Sequence, residues 1–214
     1  MGIYKIARYL MPFGMISVII YFFHIFLGQF LWTEYDWITT DISSLTAKGA
    51  PDAGLLSIFT ILSGVCAVIF FVGMIIVSLD RGYNKLTLTG YIFFALLMTI
   101  STFGYSLFPL EGDKSQMTLN NLMHIIVTAA VVILVLSSMY MLSFGYLNKE
   151  KMKVIGILTL VFAVIITITG LLTPIGMANN WNILGITERS NIFSLQVFIF
   201  IISFNYFFIE DKYS

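Results

Sequence analysis

Charge is scarce in this sequence. Lysine, arginine, aspartate and glutamate together make up 10% of the 214 residues, against roughly a quarter in an ordinary soluble domain, so the chain lacks the polar surface that water requires. Positive and negative groups balance at eleven each, which removes the net field that would gather nucleic acid. Cysteine occurs once, at Cys66 in the apolar run Gly64-Val65-Cys66-Ala67-Val68, so no intrachain disulfide can form and the thiol acts as a small apolar group. Histidine occurs twice. No His-Glu-x-x-His, paired-cysteine or EF-hand spacing is present, and neither a cofactor nor a metal is expected. His24, flanked by Phe22, Phe23, Ile25 and Phe26, lies at a different depth from His124, which argues against a bis-histidine haem; a buried, hydrogen-bonding histidine is the expectation there.

What the chain has is apolar length. Hydrophobic residues make up 59% of it, and a membrane-crossing helix needs about 20 of them in a row. Six runs qualify, near residues 9–31, 54–79, 86–108, 119–144, 152–173 and 191–209. They predict helices, because a bilayer leaves no partner for unpaired backbone groups and the runs lack the alternation of a membrane barrel. The first run is too long for the core of a secretory signal and no small-x-small cleavage pattern follows it, so it is expected to remain as a span. The fold class is therefore all-α: one integral membrane bundle of six transmembrane helices over residues 1–214.

Orientation follows from the basic residues, which concentrate in cytoplasmic connections. Lys5, Arg8, Arg81, Lys85, Lys149, Lys151, Lys153 and Lys212 fall on one side, whereas Lys48, Lys114 and Arg189 fall on the other. Both termini are thus expected in the cytoplasm. The outer side then holds the longer connections and most of the acidic groups, Glu34, Asp36, Asp41, Asp52, Glu111, Asp113 and Glu188, together with Trp32, Trp37 and Trp181. In the first outer loop, Thr40 or Asp41 can start a short helix that Gly49 and Pro51 end, predicting an interfacial helix with Ile42 and Leu45 facing inward. Pro109 and Pro174 are each expected to stop a span at the outer surface.

Polar groups inside a bilayer need a partner, a cavity or a route out. His124 heads a stripe with Asn121 and Thr128 that descends from the outer end of the fourth span, either as glue between helices or as a functional group. Arg189 follows Glu188 at the start of the sixth span, and Gln196 and Ser203 repeat at intervals of seven from it, placing all three on one inward face. A guanidinium there can grip a carboxylate or phosphate with a planar fork, or merely reach for the interface. Glu111 and Asp113, with Asp41, Asp52 and His124, could converge on a cation or supply an acid and a base. The candidate ligand-binding set is therefore Asp41, Ser43, Glu111, Asp113, Asn121, His124, Glu188, Arg189 and Gln196, with His124, Asp41 and Glu111 the candidates for catalysis.

The succession Thr40-Asp41-Ile42-Ser43-Ser44-Leu45, then Phe108-Pro109-Leu110-Glu111-Gly112-Asp113, then His124, then Glu188-Arg189 resembles the domain-of-unknown-function 998 family of small bacterial and archaeal membrane proteins. That resemblance covers nearly the whole chain and implies a six-helix bundle in a bacterial or archaeal cell membrane, but it brings no activity. There is a looser likeness to membrane hydrolases of the alkaline ceramidase kind, which hold zinc with histidines, yet their paired His-x-x-x-His is missing here. Three functions follow as expectations. The leading one is a protein that binds, senses or moves a membrane lipid headgroup or small ligand through an outward polar pocket. The second is an enzyme acting on a lipid or isoprenoid at the outer leaflet. The third is an accessory or scaffold subunit.

Overall fold

The computed structural model describes residues 7–112 and 116–209. Six helices among them are long and apolar enough to cross a membrane: α1 Pro12–Leu31, α2 Ala53–Asp80, α3 Lys85–Leu107, α4 Leu119–Asn148, α5 Lys153–Ala178 and α6 Leu184–Phe204, the last widening into a π turn over Asn205–Ile209. No strand occurs among the described residues. Each helix packs on its neighbour in sequence and α1 closes onto α6, so the six form a ring. The connections α1–α2, α3–α4 and α5–α6 meet at one end, called here the long-loop end; α2–α3 and α4–α5 turn tightly at the other.

In a bilayer the apolar surroundings supply no hydrophobic drive between helices, so close packing and polar contacts must hold them. The ring is closed in that way. Gly14 of α1 faces Ser203 of α6, whose hydroxyl donates to the Met11 carbonyl at 2.6 Å and accepts from the Met15 amide at 3.0 Å. Ser17 and Ser63 exchange hydroxyl bonds between α1 and α2. At the short-turn half the interior is filled by aromatic rings: Phe71 stacks on Phe94 at 4.6 Å, and Phe94 on Phe198 at 5.7 Å. Outward faces carry exposed Phe23, Phe30, Ile133 and Leu171, as lipid contact requires.

Two boundaries differ from expectation. α5 runs through Pro174 to Ala178. The missing amide deprives only the Gly170 carbonyl of its bond, and with one turn left the remaining helix bonds carry it, including Thr173 Oγ1 to the Thr169 carbonyl at 3.1 Å. α6 begins at Leu184, seven residues before the apolar run, because its first turns are polar yet helical. The short helix of the first loop is present as a 3-10 turn over Ile42–Thr46, with Ile42 and Leu45 buried against Ile25 of α1 and Leu56 of α2.

Candidate functional site

The first long connection is fastened to the start of α6. The amides in the first turn of a helix have no partner within it, and that of Ile186 donates to the Ile38 carbonyl at 3.2 Å. Arg189, on the next turn, is only 6% exposed. Its Nη1 donates to the carbonyls of Trp37 at 2.8 Å, Thr40 at 2.9 Å and Gly185 at 3.1 Å, and its Nη2 to the Tyr35 hydroxyl at 2.7 Å. The guanidinium also lies over the Tyr35 ring, 5.3 Å from its centre. The Tyr35 hydroxyl in turn donates to the Asp41 carbonyl at 2.8 Å. Such close docking requires a glycine at 185: a Cβ there would stand 2.5 Å from the Trp37 carbonyl oxygen and 2.6 Å from that of Thr40.

Glu188 completes the fastening, its carboxylate accepting from the Ile42 amide at the start of the 3-10 turn. One residue earlier, the buried Asp41 carboxylate accepts from the Ser43 and Ser44 hydroxyls. The expected cap at Asp41 is thus made to side chains rather than to the backbone. Behind these groups stand three phenols. Tyr21 of α1, Tyr35 of the loop and Tyr105 of α3 all lie within electrostatic range of the Glu188 carboxylate, and Tyr21 within range of the other two. Burial pushes the Tyr35 hydroxyl up to about 12, against the opposing bond and charge of Arg189.

His124 joins this cluster through Tyr105. The two rings are 4.7 Å apart, and the Tyr105 hydroxyl donates to Thr128 Oγ1, which donates to the His124 carbonyl. The imidazole Nδ1 is 2.9 Å from the Phe108 carbonyl oxygen at the end of α3. A carbonyl only accepts, so Nδ1 carries a proton and points it at the end of α3.

The remaining residues singled out by sequence lie elsewhere. Glu111 belongs to a separate rim cluster, where it accepts from Asn120 Nδ2 at 3.0 Å and pairs with Lys48 Nζ at 3.3 Å. These two partners hold its carboxyl below the ordinary range. Asn121 ties the α3–α4 connection, its amide bonding the Glu111 backbone and the Gln116 carbonyl. Asp113 lies outside the described residues. Gln196 is buried one helical repeat below Arg189, and its Oε1 has no hydrogen-bond partner. His24 is buried as expected, 5.4 Å from the Tyr21 ring; neither ring nitrogen reaches full hydrogen-bond geometry, although the Tyr21 backbone lies close enough to act on the imidazole. Among the described residues no three histidine, cysteine or acidic side chains come together in a way that could hold a metal ion.

Sequence reasoning did not reach Tyr21, Tyr35 or Tyr105. The available signal was Tyr21 three residues before His24 on one helix face, since a phenol in a span needs a partner for its hydroxyl. Nor did it reach the chain of phenols at the other end of the ring, where Tyr91, Tyr146, Tyr206 and Tyr83 are hydrogen-bonded in series. A family model described as "Protein of unknown function (DUF998)" matches residues 15–205. No curated protein and no solved structure matches the chain.

Proposed function

The chain belongs to the domain-of-unknown-function 998 family, which brings no activity with it, and from the site itself we propose a multi-pass protein of the bacterial or archaeal cell membrane that binds, senses or moves a small polar ligand or lipid headgroup. The observation that carries this reading is the half-buried Glu188 carboxylate at the long-loop end, bonded to the Ile42 amide of the clasped loop and within electrostatic range of three phenols. Its neighbours offer both kinds of bonding: Asp41 and Glu188 accept, whereas the phenols can donate or accept. The basic residues gathered at the short-turn end support an arrangement with both termini in the cytoplasm and the pocket opening outward.

The test is native mass spectrometry of protein purified in mild detergent, with Glu188→Gln and His124→Ala beside the parent. A polar molecule retained by the parent and depleted about tenfold in both variants is expected, the scale of one charge-assisted hydrogen bond. Unchanged retention in both would end the reading. Arg189→Ala is a poor probe here, because it releases the loop as well.

A second reading rests on the His124 orientation. An Nδ1 proton committed to a backbone carbonyl orients the imidazole as in a general base, and it supports an enzyme acting on a lipid or isoprenoid at the outer leaflet. Incubation with a total lipid extract, followed by lipid mass spectrometry, would show a product that disappears in His124→Gln; identical lipid profiles would refute it.

A further inference from the structure

On the outside of the ring, the seam between α1 and α6 opens sideways in a groove of about 400 Å³. Its lining changes character with depth. Trp37, Ile186, Gln29, Arg189 and Ser190 stand at the level of the long loops. Phe26 and Phe193 lie about one helical turn farther in, Phe26 before Gln29 on α1 and Phe193 after Ser190 on the oppositely directed α6. An upper end of mixed character that holds all the polar lining groups, over a wholly aromatic lower end, fits an amphiphile that lies along the membrane normal.

Charge narrows the occupant further. The lining carries one cation, Arg189, and no carboxylate. Glu188 is turned toward the Ile42 amide instead. The Arg189 fork is committed to the loop through Nη1 and Nη2, but its Nε has no hydrogen-bond partner although the residue is 94% buried by its 6% exposure. A buried donor on a cation left without an acceptor is unfavourable, by more than the bond itself is worth in water. The Gln29 carboxamide adds donors at the same level. An oxygen-rich anionic group is the chemistry that satisfies both.

We infer that the α1–α6 groove is a binding site for an anionic glycerophospholipid of the leaflet at the long-loop end, its phosphate beside Arg189 and Gln29 and its acyl chain over Phe26 and Phe193. The groove shares Arg189 with the clasped loop but not Glu188 or His124, so the inference stands without the proposed function. Occupation from the side also gives the lipid a route to the loop, since the same guanidinium holds the carbonyls of Trp37 and Thr40.

The experiment uses the full chain in nanodiscs with phosphatidylglycerol and phosphatidylcholine in equal amounts, released gently for native mass spectrometry. The parent should retain phosphatidylglycerol over phosphatidylcholine by about tenfold, as one phosphate–guanidinium contact implies. Ser190→Trp, which fills the groove, should abolish that preference, whereas Ile133→Trp on the far lipid-facing side should keep it. Because Ser190→Trp could fail to fold, a second measurement uses the parent groove: in Trp32→Phe/Trp181→Phe, bromine-labelled phosphatidylglycerol should quench Trp37 at least about twofold more than the labelled phosphatidylcholine, a conservative reading of the expected tenfold preference. Equal quenching overturns the proposal. So does preference kept in Ser190→Trp but lost in Glu188→Gln, which would assign the lipid to the inner pocket. Displacement by glycerol phosphate, or a dimer in place of lipid adducts, overturns it as well.

Discussion

Replacing Arg189 tests the geometry of the site most directly. Arg189→Met keeps much of the buried stem but removes three long-range bonds, to the carbonyls of Trp37 and Thr40 and to the Tyr35 hydroxyl. Hydrogen bonds to a charged group contribute roughly 1.5–3 kcal/mol each; because the released loop can turn its carbonyls toward water, the lower figure applies and the sum is about 4.5 kcal/mol. For a chain of this size that is a fall in melting temperature of about 10 °C. Arg189→Lys keeps the charge as a point donor without the fork and should recover about half. Tryptophan fluorescence during a thermal ramp measures the midpoint, since Trp32 and Trp37 flank the clasp. Limited proteolysis measures the loop, which should become cleavable between residues 32 and 52 below the midpoint of the rest. Melting of Arg189→Met within about 2 °C of the parent, with the loop still resistant, would refute the clasp, because no three bonds of this kind are worth so little.

Gly185→Ala should lower stability by about 2–3 kcal/mol through overpacking against two loop carbonyls, and should loosen the same loop, read by the same two assays. Tyr146→Phe removes the middle hydroxyl of the buried phenol chain and leaves Tyr91 and Tyr206 each short of a bond; a loss of about 1–3 kcal/mol in chemical unfolding is expected, with ligand retention unchanged. Glu111 gives a sign in pH. Its folded-state carboxyl is lowered by Asn120 and then Lys48, so its contribution is fully present above the unfolded value and fades as pH falls through the lowered one. In Asn120→Ala the carboxyl titration followed by NMR should move back up, and a titration unchanged by that substitution would contradict the assigned cause.

Much of the fold was legible because a bilayer leaves few choices. Apolar run length alone located six helices, and the spacing of Arg189, Gln196 and Ser203 put all three on a face that is indeed buried. Ile42 and Leu45 face inward as their spacing required. Two errors have the same physical root. Pro174 was read as a stop and 184–190 as preceding the span, because hydropathy and proline rules score residues singly, whereas a helix end is decided by what its free amides and carbonyls meet. Here the Ile186 amide of α6 meets the Ile38 carbonyl, and the Arg189 side chain meets those of Trp37 and Thr40. Spacing left open whether the acidic residues meet, and their partners differ: Glu111 bonds Lys48 and Asn120, Asp41 the Ser43 and Ser44 hydroxyls, and Glu188 the Ile42 amide, choices that only the packing of the loops decides.

The division of the interior by depth bears on which verb in the proposed function applies. From Glu188 inward, the polar groups thin to His24 and Gln196, and below them the ring is filled by Phe70, Phe71, Phe94, Met139 and Phe198, each no more than 1% exposed. A ligand seated at the long-loop end could pass farther only if these rings parted. Close packing resists that collectively, since each ring is held by several neighbours rather than one. The phenol chain beyond them is already bonded in series and braced by Arg81 over the Tyr206 ring. A rigid floor beneath a loop held by Arg189, Glu188 and the Ile186 amide concentrates the available motion in that loop. For the proposed function this favours binding or sensing, read out by the position of residues 37–42, over movement of a ligand across the ring.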